Sequence, residues 1–306
     1  MDESGRLLEG KKVIINGASK GIGKAIAVGF AELGAIVGLV SRNEDLLKEN
    51  VELIKSKGGN AFYRIADVSK FEQLKTAMEG LIADMGGFDV LVNNAGIAIS
   101  HFIPETVEEI DKILDINLKG TIYGIHIALP YFKKQKKGSI ISTGSGSSLI
   151  STLKMINNNA LYAASKAGIN LFSFSISQEL PKRIKVNVLM PGWTKTDIVD
   201  VASKDAIENL GKHFDVAEPE DIIPFYTFFA SNESKRITGA IVNLVLMRMA
   251  TRFFRESYSG SLDDWDEMGP ALQNYSKAIH RHVREHVKLL LFLLKVEAKG
   301  ASMMPR

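Results

Sequence analysis

A short apolar run, Val13-Ile14-Ile15, gives way to Asn16-Gly17-Ala18-Ser19-Lys20-Gly21-Ile22-Gly23. Ala25, Ile26, Val28, Phe30 and Leu33 then follow at mostly helical spacing. A strand, a glycine turn and a helix in that order leave the chain few options. Gly17 permits the tight turn, Gly21 lets the backbone approach a ligand, and Gly23 lets the helix pack closely on the strand. The helix start offers unpaired N–H groups and a positive dipole end, which suits a pyrophosphate. An ordinary strand-to-helix turn would also use glycine, so the loop by itself sets a βα unit and leaves its ligand open.

The same rhythm repeats along the chain. Strand-like runs fall at 13–16, 36–40, 61–65, 89–92, 139–142, 185–189 and 240–244, with helical patterns between them. This predicts an α/β fold: a Rossmann-like doubly wound parallel sheet of about seven strands with helices on both faces. Residues 1–244 read as one α/β domain. Residues 245–306 read as a mostly helical C-terminal extension. Within it Leu272, Tyr275, Ile279, Val283, Val287, Leu290 and Leu294 make one stripe. That stripe fits packing on the same domain or on a neighbouring subunit. The apolar run Leu289–Leu294 is too short to span a bilayer, and contact with a membrane surface is the lesser reading. His282, Glu285 and His286 imitate an inverted zinc-protease motif, but no third ligand is identifiable, so no metal is expected.

Composition excludes several functions. Of 306 residues none is cysteine, which rules out disulfides, a thiolate nucleophile and Cys-ligated metals. The formal net charge of +3, without a basic stripe carrying aromatics, gives no argument for nucleic acid. Residues 1–10 have no apolar core and so do not resemble a signal peptide, which makes a cytoplasmic location the default expectation.

Tyr162 and Lys166 lie four positions apart, and on a helix that spacing puts both on one face. A free Tyr titrates near pH ~10. An ammonium ~4 Å away at an effective dielectric of ~20 is worth roughly 4 kcal/mol, enough to bring a phenol towards neutrality. The expectation is therefore a Tyr162 whose pKa is drawn down by Lys166. The second strand ends at Ser41-Arg42 with no acidic residue to bind a ribose 2′-hydroxyl. Together with Lys20 this favours a phosphorylated ribose, NADP(H) over NAD(H).

These motifs, in this order, resemble the classical short-chain dehydrogenases/reductases over about residues 8–244. The stretch Gly17, Ser19, Lys20, Gly21, Ile22 and Gly23 is similar to the family's glycine loop, with Asn16 in place of the usual Thr. Asp67-Val68 resembles the pair at the adenine ring, and Asn93-Asn94-Ala95-Gly96 the motif beside the cofactor. Asn117 stands in the place of the helix-bending catalytic Asn, Ser145 of the catalytic Ser, and Tyr162 and Lys166 of the YxxxK pair. Pro191, Gly192, Thr194 and Thr196 resemble the turn that binds the nicotinamide carboxamide and phosphates. Ser142, Ser147 and Ser148 lie close enough to Ser145 in sequence to stand in for it. The resemblance implies that Ser145 polarises a carbonyl, Tyr162 passes a proton, Lys166 tunes it and binds ribose, and Asn117 holds a relay water.

Two departures bear on the substrate. Ser145 and Tyr162 are 17 positions apart, which is longer than the family's usual spacing. The usual Asp-Gly-Gly after the last strand is also missing. The expected function is an NADP(H)-dependent oxidoreductase on a carbonyl or secondary alcohol, nearest in look to the 3-oxoacyl-[acyl-carrier-protein] reductase branch. Its partner would be a small molecule, free or carrier-bound, and the assembly a homodimer or homotetramer. The alternatives are an NAD-dependent sugar or steroid alcohol dehydrogenase, and a non-catalytic nucleotide-binding or assembly protein.

Overall fold

The computed structural model describes residues 6–99, 103–148, 160–196 and 216–244. Strands β1 (Lys12–Asn16), β2 (Ile36–Ser41), β3 (Asn60–Ile65), β4 (Val90–Asn93), β5 (Gly138–Thr143), β6 (Ile184–Met190) and β7 (Ile241–Asn243) form one sheet. Its order is β3-β2-β1-β4-β5-β6-β7, and every neighbouring pair is parallel. The strands expected from sequence agree with these to within one residue at each end. Helices α1 (Gly21–Glu32), α2 (Glu44–Ser56), α3 (Phe71–Met85), α4 (Val107–Ile113), α5 (Gly120–Gln135), α6 (Ala160–Glu179) and α7 (Ile223–Ala230) cover the sheet.

Successive side chains on a strand point to opposite faces, and both faces here are apolar. Ile14 joins α3 and α5 in a core with Leu74, Leu81, Ile125 and Phe132. Its neighbour Ile15 joins α1, α2 and α7 in a second core with Phe30, Leu47, Tyr226 and Phe229. Local signals fix the helix ends. The Asn43 side chain accepts from the Leu46 N–H at 3.0 Å, and Glu44 and Asp45 occupy the positive end of α2. Gly86, at φ 65°, closes α3 in the left-handed conformation.

The chain runs β1-β2-β3 outward on one side of β1 and resumes with β4 on the other. The strand order reverses between β1 and β4. Helices diverge from the carboxyl ends of the strands there and leave a crevice. Between α4 and α5, Leu114–Lys119 runs as a π-helix that contains Asn117. Among the described residues no helix is long and apolar enough to cross a membrane. The proposed C-terminal extension, with its His282–His286 motif, lies outside the described residues, as does most of the segment between Ser145 and Tyr162.

Candidate active site

The crevice at the switch point is a cleft of about 340 Å³. Its floor is the glycine loop. Gly17 turns at φ 84°, and a Cβ there would lie 2.6 Å from the Ala95 backbone. A Cβ on Gly23 would lie 2.0 Å from the Gly17 carbonyl oxygen. Only glycine lets the loop, the start of α1 and the end of β4 come this close. A Cβ on Gly21 would touch the Thr196 methyl at 3.0 Å, so the loop and the segment after β6 face each other across the cleft. No side chain caps α1 and no acid sits in its first turn, which leaves the helix start open to an anion.

Nearly all the residues singled out from sequence line this one cleft. Ser19, Lys20, Gly21 and Ile22 form its phosphate-loop end, with Ser41 and Arg42 at the end of β2. Asp67 and Val68 follow β3, and Asn94, Ala95 and Gly96 follow β4. Ser145, Tyr162 and Lys166 line it, as do Pro191, Gly192, Thr194 and Thr196. Gly23 and Asn117 do not line it. Gly23 lies beneath the loop and Asn117 is fully buried. Of the four candidate serines only Ser145 reaches the cleft. Ser142 is fully buried, and the Ser148 hydroxyl donates to the Ser145 carbonyl at 2.6 Å.

The hydroxyls of Ser145 and Tyr162 are hydrogen-bonded to each other. The Lys166 ammonium donates to the Thr143 carbonyl at 2.9 Å and lies 5.8 Å from the centre of the Tyr162 ring. Burial raises the Tyr162 pKa, with the Ser145 bond pulling the other way. Burial also lowers the Lys166 pKa to about 8. The expectation that Lys166 draws the phenol down is therefore not met here. Desolvation dominates at both groups, and it weakens the very charge that was to act.

Asn117 is committed to the protein. Its Oδ1 accepts from the Ile97 N–H at 2.8 Å, and its Nδ2 donates to the Ile97 carbonyl at 2.9 Å and to Ser165 Oγ at 3.2 Å. It braces the wall behind Lys166. At the far end Arg42 lies 3.9 Å from Asp67, whose carboxylate is held low by hydrogen bonds from Ser69 and by the charges of Arg42 and Lys70, although burial opposes them. The sequence reading had placed no acid near Arg42.

The sequence reading missed Thr143 and Tyr226. Tyr226, fully buried on α7, has its hydroxyl 2.8 Å from Thr143 Oγ1. Thr143 donates on to Asn94 Oδ1 at 3.2 Å, and Asn94 Nδ2 donates to the Gly17 carbonyl at 3.1 Å. A Tyr inside the apolar run Phe225–Phe229 was the available signal, because a buried phenol needs a partner.

The cleft fits a nicotinamide dinucleotide. The glycine cradle has room only for backbone, and Thr194 Oγ1 is buried on the cleft wall with no hydrogen-bond partner among the described residues. Comparison with known proteins agrees. The family model for the short chain dehydrogenase matches residues 11–207. The 3-oxoacyl-[acyl-carrier-protein] reductase of Staphylococcus aureus is 33% identical over 242 residues, covering 76% of this chain and 96% of its own. A Thermotoga maritima protein described as an uncharacterized oxidoreductase is 36% identical over 253 residues, covering 77% and 96%. A short-chain type dehydrogenase/reductase from Mycobacterium marinum superposes with a TM-score of 0.70 at 29% identity, covering 77% of this chain and 94% of that one. An NADPH-dependent 3-quinuclidinone reductase from Rhodotorula rubra gives 0.71 at 28%, covering 77% and 90%.

The fold and the cleft define a nicotinamide-dependent oxidoreductase that acts on CH–OH and keto groups. The chain belongs to the short-chain dehydrogenase family.

Proposed function

We propose that this chain is an NADP(H)-dependent ketoreductase of the 3-oxoacyl type, working in reverse on the matching secondary alcohol. One observation carries the reading. Ser145, Tyr162 and Lys166 meet at one end of a cleft whose other end holds Lys20 and Arg42. The Staphylococcus relative's name supports the substrate class, and the Rhodotorula neighbour's supports the phosphorylated cofactor.

In this reading Gly17, Ser19, Gly21 and Ile22 hold the pyrophosphate, while Lys20, Ser41 and Arg42 hold the ribose phosphate. Asp67 and Val68 meet the adenine. Asn94, Ala95, Gly96, Pro191, Gly192, Thr194 and Thr196 position the other half. Bound there, the nicotinamide supplies or accepts a hydride. Ser145 donates a hydrogen bond to the substrate oxygen as negative charge grows on it. Tyr162, kept protonated by burial, gives that oxygen its proton. Lys166, anchored on the Thr143 carbonyl, binds ribose and stabilises the phenolate that forms. Asn117 keeps the wall behind Lys166 in place.

Cofactor choice is tested by fluorescence titration with NADPH and NADH. Arg42→Ala should weaken NADPH binding by roughly 10- to 100-fold, the worth of a charged phosphate contact, and leave NADH unchanged. Asp67, 3.9 Å from Arg42, favours the NAD(H) reading, and tighter NADH binding by the unmodified protein would establish it. Tyr162→Phe should keep cofactor binding and lose at least ~100-fold in turnover on a 3-oxoacyl thioester. Near-normal turnover in that variant rules the assignment out. Residues 1–244 form the catalytic unit in this reading, and 245–306 join subunits of a homodimer or homotetramer. A chain ending at residue 244 that keeps the full-length assembly state by light scattering would refute that division.

A further inference from the structure

At the amino ends of the strands, opposite the nucleotide cleft, lies a second cavity of about 470 Å³. It is lined by six cations, Lys11, Lys137, Arg183, Lys185, Lys235 and Arg236, and by one carboxylate, Asp89. The whole chain has a formal net charge of only +3, so more than its entire positive excess is gathered here. Asp89 is already engaged. Its Oδ2 accepts from the Lys12 N–H at 3.1 Å, and its Oδ1 lies 3.9 Å from Lys137. Among the described residues none of the other five cations has a carboxylate within ion-pair distance.

Lys185 makes the cavity more than a basic surface. Its side chain is buried, and its ammonium donates to the Phe229 carbonyl at 2.9 Å, the Ser231 carbonyl at 3.1 Å and Ser234 Oγ at 2.7 Å. These acceptors solvate the charge without neutralising it. Burial, with the Lys11 charge adding to it, lowers the Lys185 pKa to about 7, and Lys11 too has a neutral partner, Asn232 Oδ1 at 3.3 Å. In its charged form this buried lysine has no counter-ion, faces further cations across the cavity and projects positive potential into it, and a bound anion would favour that form. Two of the others are guanidiniums, whose forked donors match phosphate oxygens. Val90 and Ala230 are the only apolar side chains among the lining residues, so specific recognition would go through charge.

We propose that this cavity is an anion site for a small ligand carrying two or more linked phosphates, separate from the nucleotide cleft. A single phosphate would leave most of the six cations unmatched, whereas a chain of phosphates can bridge them.

The test is calorimetric titration of the full-length protein with inorganic tripolyphosphate and, separately, with ATP, at constant ionic strength. Lys235→Glu/Arg236→Glu reverses two exposed charges at the cavity and should weaken binding at least ~10-fold. Lys20→Ala/Arg42→Ala, at the nucleotide cleft, and Lys55→Glu/Lys112→Glu, on α2 and α4, should each change it less than ~3-fold for tripolyphosphate. Lys185→Met should also weaken it, and its fold is checked by circular dichroism. ATP binding as tightly as tripolyphosphate would identify a nucleotide source, tripolyphosphate alone a free polyphosphate, and either supports the site. Loss of tripolyphosphate binding only in Lys20→Ala/Arg42→Ala overturns it, as does an equal loss in Lys55→Glu/Lys112→Glu. No measurable binding, or binding of a polyglutamate peptide when neither phosphate binds, overturns it as well.

Discussion

The Tyr226–Thr143–Asn94 chain has a direction that can be worked out from proton counting. A hydroxyl has one proton. Thr143 spends its own on Asn94 Oδ1, so Tyr226, 2.8 Å away, must donate to Thr143. Asn94 Oδ1 thereby accepts, which turns Nδ2 towards the Gly17 carbonyl. The three residues should then respond unequally to loss of a hydroxyl. Tyr226→Phe removes one neutral hydrogen bond and leaves Thr143 donating to Asn94, at a cost of about 1 kcal/mol. Thr143→Val leaves two polar groups without partners, the fully buried Tyr226 hydroxyl and Asn94 Oδ1. Each such group costs ~1–3 kcal/mol, so the variant should lose roughly 2–6 kcal/mol. The double variant removes both ends of the Tyr–Thr bond and should be more stable than Thr143→Val alone. Urea unfolding gives the stabilities, and NADPH fluorescence titration gives the effect on the glycine loop. Thr143→Val should raise the cofactor Kd and leave kcat at saturation close to normal, because the Thr143 carbonyl that anchors Lys166 is retained. If Tyr226→Phe costs as much as Thr143→Val, or if the double variant is the least stable of the three, the proton order is wrong.

Two further outcomes follow from the site. Gly23→Ala places a methyl 2.0 Å from the Gly17 carbonyl and 2.7 Å from Asn94 Nδ2, over 1 Å inside ordinary contact, so the start of α1 must move away from the strand. Cofactor affinity should fall at least ~100-fold, and an unchanged Kd in a folded variant would contradict the cradle. Stability should rise with pH above 8. Lys166 titrates at about 8 when folded and near 10.5 when unfolded, so between those values the unfolded chain holds the extra proton. The slope from this group is up to ~1.4 kcal/mol per pH unit, and the gain should be smaller in Lys166→Met when both are unfolded in urea at pH 7.5 and 9.5. Equal gains in the two proteins would show that Lys166 is not desolvated.

What could be read from the sequence was what acts over short range. The strands were legible because β-branched runs such as Val13–Ile15 and Ile36–Val40 are bounded by glycine or polar turns. The glycine loop was legible because its close contacts with Gly17 and Ala95 admit no side chain. Spacing also brought Tyr162 and Lys166 together correctly. It said nothing of their desolvation, which depends on segments far away in sequence such as Thr143 on β5 and Gly96 after β4, and so it gave the wrong direction for the phenol. Periodicity could not reveal the π-helix at Leu114–Lys119 either, since one extra residue per turn leaves the apolar pattern of a short segment almost intact.

The basic cavity shows the same limit most sharply. Lys11, Lys137, Arg183 and Lys185 sit at the amino ends of β1, β5 and β6, and Lys235 and Arg236 follow α7. Lys137 closes the basic run Lys133-Lys134-Gln135-Lys136-Lys137, but nothing in the sequence joins that run to Lys11, to Arg183 and Lys185 or to Lys235 and Arg236. In a parallel sheet, however, every strand starts at the same edge, so cations placed just before several strands converge whatever the distance between them along the chain. A net charge of +3 averages that convergence away. The quantity that decides anion binding is the local sum at one end of the sheet, and it becomes visible only once the strand order is known.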